Sequence, residues 1–227
     1  MNDDVMRKVF HLGDSKPTEV SFSGSTKWLL AELENVSLYV FENLPGAEFA
    51  IPGHPEEVVI IVLEGLLMYE DGRIVRGNES VVQLPNTSYK GRYGGVESIR
   101  LLAVKVVPIP NTTPPNPDLM KKTIRIRYLE PFRRPSSGSL QRIVAITENL
   151  SITYLENKPV AEFPGLGHPQ TEIVYMMQGK IEYGGGRRVV RPGEAICNIA
   201  GLPHPSRYAG TEPIKALEIL SPPQHNP

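Results

Sequence analysis

The chain of 227 residues has a single cysteine, Cys197, so no disulfide can form within it. That cysteine lies in the apolar run from Ala195 to Ile199, where it reads as a buried structural thiol rather than a nucleophile. Charge of one sign is also lacking. The formal net charge is −1, and the basic runs go no further than pairs such as Arg133-Arg134 and Arg187-Arg188. Recognition of nucleic acid by phosphate neutralisation is thereby excluded. Nothing approaches the ~18 consecutive apolar residues of a spanning helix. The N-terminal stretch MNDDVMRKVFHLGD has no apolar segment of signal-peptide length, so the expected location is cytoplasmic. No helical period of useful length survives the 22 prolines.

What is present is an ordinary globular composition, 40% hydrophobic and 22% charged, able to bury a core. Many prolines and 20 glycines indicate frequent turns and an all-β architecture. The length allows one domain or two small ones, and an internal repeat decides for two. Glu34-Asn35-x-Ser37 recurs as Glu148-Asn149-x-Ser151, and Gly53-His54-Pro55 as Gly167-His168-Pro169. The longer run from Glu42 to Phe49 recurs from Glu156 to Phe163, all at one offset of 114 residues. Arg92-Tyr93 matches Arg207-Tyr208 with one residue inserted. A constant offset over a domain length marks a tandem duplication.

Strand-like runs rich in Val, Ile, Leu and Tyr recur in each half, between Gly, Pro and Asn clusters. In the first half they run from Lys27 to Leu33, Ser37 to Phe41, Val58 to Leu63, Leu66 to Tyr69, Ser80 to Leu84 and Ile99 to Val107. The second half repeats them from Leu140 to Ile146, Ser151 to Leu155, Ile173 to Met177, Lys180 to Tyr183, Ala195 to Ile199 and Ile214 to Leu220. The proline-rich stretch PIPNTTPPNPDLMKK has little ability to join a sheet. The division expected is therefore 1–110 for an N-terminal barrel, 111–122 for the linker and 123–227 for a C-terminal barrel. A double-sheet jelly roll would close each sheet and manage its edges.

The stretch from Phe163 to Tyr208 carries the chemistry. His168 and Glu172, four apart before an apolar run, fall on one face of extended chain, and His204 arrives on a later strand. Two imidazoles and a carboxylate from adjacent strands form a facial set that holds a divalent first-row metal and leaves positions open. The plainer reading is a polar interior in which these side chains bond to one another without metal. In the first half the matching positions are His54, Val58 and Tyr89. One imidazole cannot hold a catalytic ion, so the N-terminal barrel is expected to be a scaffold. Weaker pocket candidates are Gln170 near His168, Val174 and Met176 on the Glu172 strand, and Ser206 and Tyr208 after His204.

These residues resemble the two motifs of the cupin superfamily, H-x-H-x(3–4)-E-x(6)-G and G-D-x(9)-H. Leu166-Gly167-His168, Glu172 and Gly179 stand in the first, Gly193-Glu194 and His204 in the second. Leu166 takes the place of the family's first His, leaving three protein ligands instead of four. With its duplication the chain is identified as similar to a bicupin. The resemblance implies a double-stranded β-helix in each half and metal ligation by His168, Glu172 and His204, with Fe, Mn, Ni, Zn or Cu as the ion. It implies chemistry on a small oxygenated molecule (dioxygenase, decarboxylase, isomerase or aminohydrolase), with Fe(II) oxygen chemistry slightly favoured by the donor set. It also implies a homodimer. The alternative is a non-catalytic cupin that binds a small ligand or serves as a storage-like protein, without metal.

Overall fold

A computed structural model describes residues 9–10, 16–19, 24–108, 123–133, 139–158, 162–163, 165, 167–183 and 188–223. Among them the structure is all β apart from one short 3-10 turn, Ile126–Tyr128. The linker 111–122 and Leu166 lie outside the described residues. No described helix is long and apolar enough to cross a membrane.

The chain divides into two compact units, residues 15–128 and residues 1–14 with 129–227. Each has a seven-stranded antiparallel sheet and a four-stranded one among the described residues. In the first unit the larger sheet runs Ile124–Arg125, Glu79–Gln83, Glu57–Glu64, Ile99–Val106, Val36–Asn43, Ser25–Glu32, Thr18–Glu19. In the second it runs Val9–Phe10, Ala195–Asn198, Thr171–Gln178, Ile214–Ser221, Ser151–Asn157, Leu140–Ile146, Phe132–Arg133. The smaller sheets are Glu48–Ile51, Tyr89–Gly94, Leu66–Tyr69, Ile74–Arg76 and, correspondingly, Glu162–Phe163, Ser206–Ala209, Lys180–Tyr183, Arg188–Val190.

Alternation along these strands builds the cores. In the second unit Val174, Met176, Ile181, Tyr183, Ile196, Tyr208, Ile214 and Ala216 form one interior cluster drawn from both sheets. Full burial of a side chain such as Met176 stabilises by about 1.5–3 kcal/mol before entropy is counted. The first unit has the matching cluster, with Val58, Ile60, Val62, Leu67, Tyr69, Tyr93 and Ile99.

The duplication is visible in detail. Both units carry a bulge at the same place, Leu29/Ala31 and Ile143/Ala145. Gly65 and Gly179 both adopt positive φ, 83° and 78°, and an added Cβ at either would strike Ile99 or Ile214. The pairings Leu67 with Val75 and Ile181 with Val190 put the single inserted residue between Ile181 and Val190 in sequence.

One boundary differs from the sequence-based division. Val9–Phe10 pairs with Ala195–Ile196 of the C-terminal sheet, and Ile124–Arg125 pairs with Glu79–Ser80 of the N-terminal one. These two-residue strands are repeat equivalents, so each half covers the open edge of the other half's larger sheet. The physical cause is the edge: without them Ala195–Asn198 and Glu79–Gln83 would present unpaired backbone groups. Ser221 closes the last strand, donating its hydroxyl to Asn149 O at 2.8 Å.

Candidate metal centre

The strand Thr171–Gln178 runs between Ala195–Asn198 and Ile214–Ser221. Its pleat turns Glu172, Val174 and Met176 into the barrel. Register sets Glu172 opposite Asn198 on one side and Leu220 on the other. Asn198 Nδ2 donates to Glu172 Oε2 at 2.5 Å, which fixes the carboxylate's orientation. Both are buried.

The two imidazoles come from loops that are stitched together. His204 N donates to Gly165 O at 2.9 Å, and Gly201 N donates to His168 O at 2.7 Å. The equivalent loop bond exists in the first barrel, from Asn86 N to His54 O. Gly165 is required by the crossing, since a Cβ there would lie 2.4 Å from the backbone carbonyl of His204.

One donor atom from each of His168, Glu172 and His204 lies within 4.8 Å of the others. Nε2 of His168 is 3.8 Å, and Nε2 of His204 3.5 Å, from Glu172 Oε2. The imidazole rings meet edge to face with centroids 4.9 Å apart. These separations exceed good hydrogen-bond lengths. His204 Nδ1 donates to Leu202 O at 3.0 Å, which in the neutral ring leaves Nε2 as the nitrogen that can accept a metal. Both ring nitrogens of His168 are buried without a hydrogen-bond partner. Leaving such an atom unpaired costs about 1–3 kcal/mol. The donor set and its orphaned nitrogen therefore fit a divalent ion between the three side chains.

Electrostatics points the same way. Burial pushes the Glu172 carboxyl up, but His168, His204 and the Asn198 amide together outweigh it and hold it at about 2. The Glu172 carboxylate raises the His168 imidazole above its ordinary value against burial, and Glu218 adds to the rise. The site favours positive charge beside Glu172. Cys197, on the opposite face of its strand, is buried and pushed up to about 12, as a structural thiol should be.

Of the pocket candidates, Val174, Met176 and Tyr208 join the interior cluster. Met176 is fully buried, so it packs the barrel and offers no surface to a ligand. Tyr208 takes a hydrogen bond from Asn157 Nδ2 and stands edge-on to Phe163. Ser206 is opposite Tyr183 and Phe163, hence inward. Gln170 is half-buried in the bend after His168. Two interior residues escaped sequence reasoning, Asn198 and Glu218. Glu218 is buried and opposite Val174 and Thr153, one row from Glu172. The alternation Ile214, Ala216, Glu218, Leu220 is the signal that would have found it.

In the first barrel Val58 is buried, Tyr89 accepts a hydrogen bond from Leu84 N at 2.8 Å, and His54 Nδ1 lies 3.3 Å from Glu56. Among the described residues, the C-terminal trio is the one group of three such side chains placed to hold an ion.

No family model and no curated protein matches the chain. Solved structures do. A Pseudomonas aeruginosa protein described as glyoxylate-induced is similar over 98% of this chain and 91% of its own, with a TM-score of 0.81 at 15% identity. An S161A variant of Bacillus subtilis oxalate decarboxylase is similar over 95% of this chain and 77% of its own, with a TM-score of 0.69 at 15% identity. A cupin 2 conserved barrel domain protein from Leptotrichia buccalis is similar over 91% of this chain and 96% of its own, with a TM-score of 0.63 at 14% identity. Two jelly-roll barrels in tandem, superposing on such proteins across nearly the whole chain, make the fold that of a cupin.

Proposed function

We propose that the protein is a metal-dependent enzyme whose C-terminal barrel acts on a small oxygenated acid. The observation that carries this reading is the convergence of two free imidazole nitrogens on a buried, ionised carboxylate. Bound there, a divalent Fe, Mn, Ni, Zn or Cu ion supplies Lewis acidity or redox activity and open positions for a chelating substrate. The protein's own residues do the rest. Asn198 and the Leu202 carbonyl hold Glu172 and His204 in their donor orientations. Val174 and the Phe163–Tyr208 pair keep the interior apolar and limit water. Glu218, the second interior carboxylate, is assigned the proton transfer to and from substrate.

Two structural neighbours carry the names oxalate decarboxylase and glyoxylate-induced protein, which makes oxalate and glyoxylate the first substrates to try. Elemental analysis of the purified protein, combined with assays of oxalate and glyoxylate consumption and of oxygen uptake, tests the proposal. It predicts about one equivalent of first-row metal, lost in His168→Ala and Glu172→Ala together with turnover. Protein that binds no metal after exposure to each ion, and whose melting ignores chelators, would be a ligand-binding cupin instead.

A further inference from the structure

The interior of the N-terminal barrel inverts the charge of its sister. Register and repeat offset set Val58 where the other barrel has Glu172, and Ala103 where it has Glu218. The same alignment sets Lys27 in place of Gln141 and Lys105 in place of Leu220. Both lysines point inward, since Lys27 is opposite Phe41 and Lys105 is opposite Val58. One barrel therefore turns two carboxylates inward, the other two ammonium groups.

These lysines border a cavity of about 150 Å³ whose wall is largely apolar, with Phe41, Phe49, Val58 and Ile60 among its lining. The ammonium groups of Lys27 and Lys105 lie 4.1 and 5.6 Å from the centroid of one ring, Tyr39. Neither has a carboxylate within ion-pair distance among the described residues. Glu56, which offsets part of the Lys27 charge, is 3.3 Å from His54 Nδ1. Burial and the neighbouring Lys105 both disfavour the charged form of Lys27. Two half-buried cations thus share one ring beside a largely apolar cavity, and among the described residues neither is ion-paired.

We propose that the N-terminal barrel binds a small organic anion, a carboxylate on a compact apolar body. Its carboxylate sits between Lys27 and Lys105, and its apolar part fills the cavity, which has the size that accepts a benzene-like body. The site needs no metal and stands independently of the C-terminal centre. Titration calorimetry of the full chain with benzoate and with its neutral isostere benzamide tests the assignment. Benzoate should bind at least roughly tenfold tighter than benzamide, and Lys27→Met and Lys105→Met should each weaken it by roughly tenfold. His168→Ala should leave benzoate binding unchanged. If Lys27→Met does not fold, Lys105→Met and the benzoate–benzamide contrast still decide. The assignment is overturned if benzoate does not bind at millimolar concentration, binds no tighter than benzamide, or loses its site in His168→Ala.

Discussion

Replacing Gly165 by alanine should unseat His204 without altering any donor atom. Gly165 has φ +52°, and a Cβ built there lies 2.4 Å from both C and O of His204 and 2.6 Å from Pro205 N. Ordinary contacts begin near 3.4 Å, so one loop must retreat by about an ångström. The bond from His204 N to Gly165 O ties that retreat directly to the ligand. Imidazole nitrogens bind first-row metals at about 2.0–2.1 Å, with a tolerance of about 0.2 Å. A displacement of this size should weaken metal binding by about 10- to 100-fold, the range seen when ligand-orienting partners are lost. Gly193→Ala is the control. Its φ is +85°, but an added Cβ meets nothing within 4 Å, so it should cost about 1–2 kcal/mol of stability and leave affinity intact. Competition with a chromophoric chelator measures affinity, and thermal melting measures stability. Wild-type affinity in Gly165→Ala, or equal losses in the two variants, would refute the reasoning.

Three other outcomes follow from the structure. Glu172 is held below its ordinary 4.5, so its stabilisation is present above that pH and is lost as pH falls toward about 2. His168 is raised above its ordinary 6.5, so its stabilisation is complete below that pH and is lost as pH rises through the raised value. In metal-free protein, the melting difference between wild type and Glu172→Gln should peak between pH 4.5 and 6.5, and a difference that grows above pH 7 would contradict this. Glu218→Gln should retain the metal while lowering kcat by about 10²–10⁴, as loss of a general acid or base does; unchanged kcat would remove Glu218 from the proton path. Deleting residues 1–10 uncovers the Ala195–Asn198 edge, so the melting of the C-terminal barrel should fall and its aggregation rise, with the N-terminal barrel unaffected.

Strands that carry their own apolar alternation were legible from sequence. Leu140–Ile146 and Lys180–Tyr183 have the bounds expected of them. Glu48–Ile51 and Tyr89–Gly94 were not: the first is only four residues long, lysine, arginine and glycine interrupt the second, and their order comes from pairing with each other and with Leu66–Tyr69. The exchanged edge strands are two residues long, too short for any period to show. His168, Glu172 and His204 stood out because the repeat lacks two of them in its first half. Lys27, Lys105 and Glu218 did not, since a charged residue in a strand is normally read as facing water. Register alone turns them inward.

Anomalous X-ray scattering from crystals of the metal-loaded protein, collected at the absorption edge of the bound element, tests most directly whether one barrel alone became a metal centre. A single strong peak is expected about 2.0–2.2 Å from His168 Nε2, a Glu172 oxygen and His204 Nε2, with none beside His54. A peak in the N-terminal barrel, or none among the three C-terminal side chains, would contradict it.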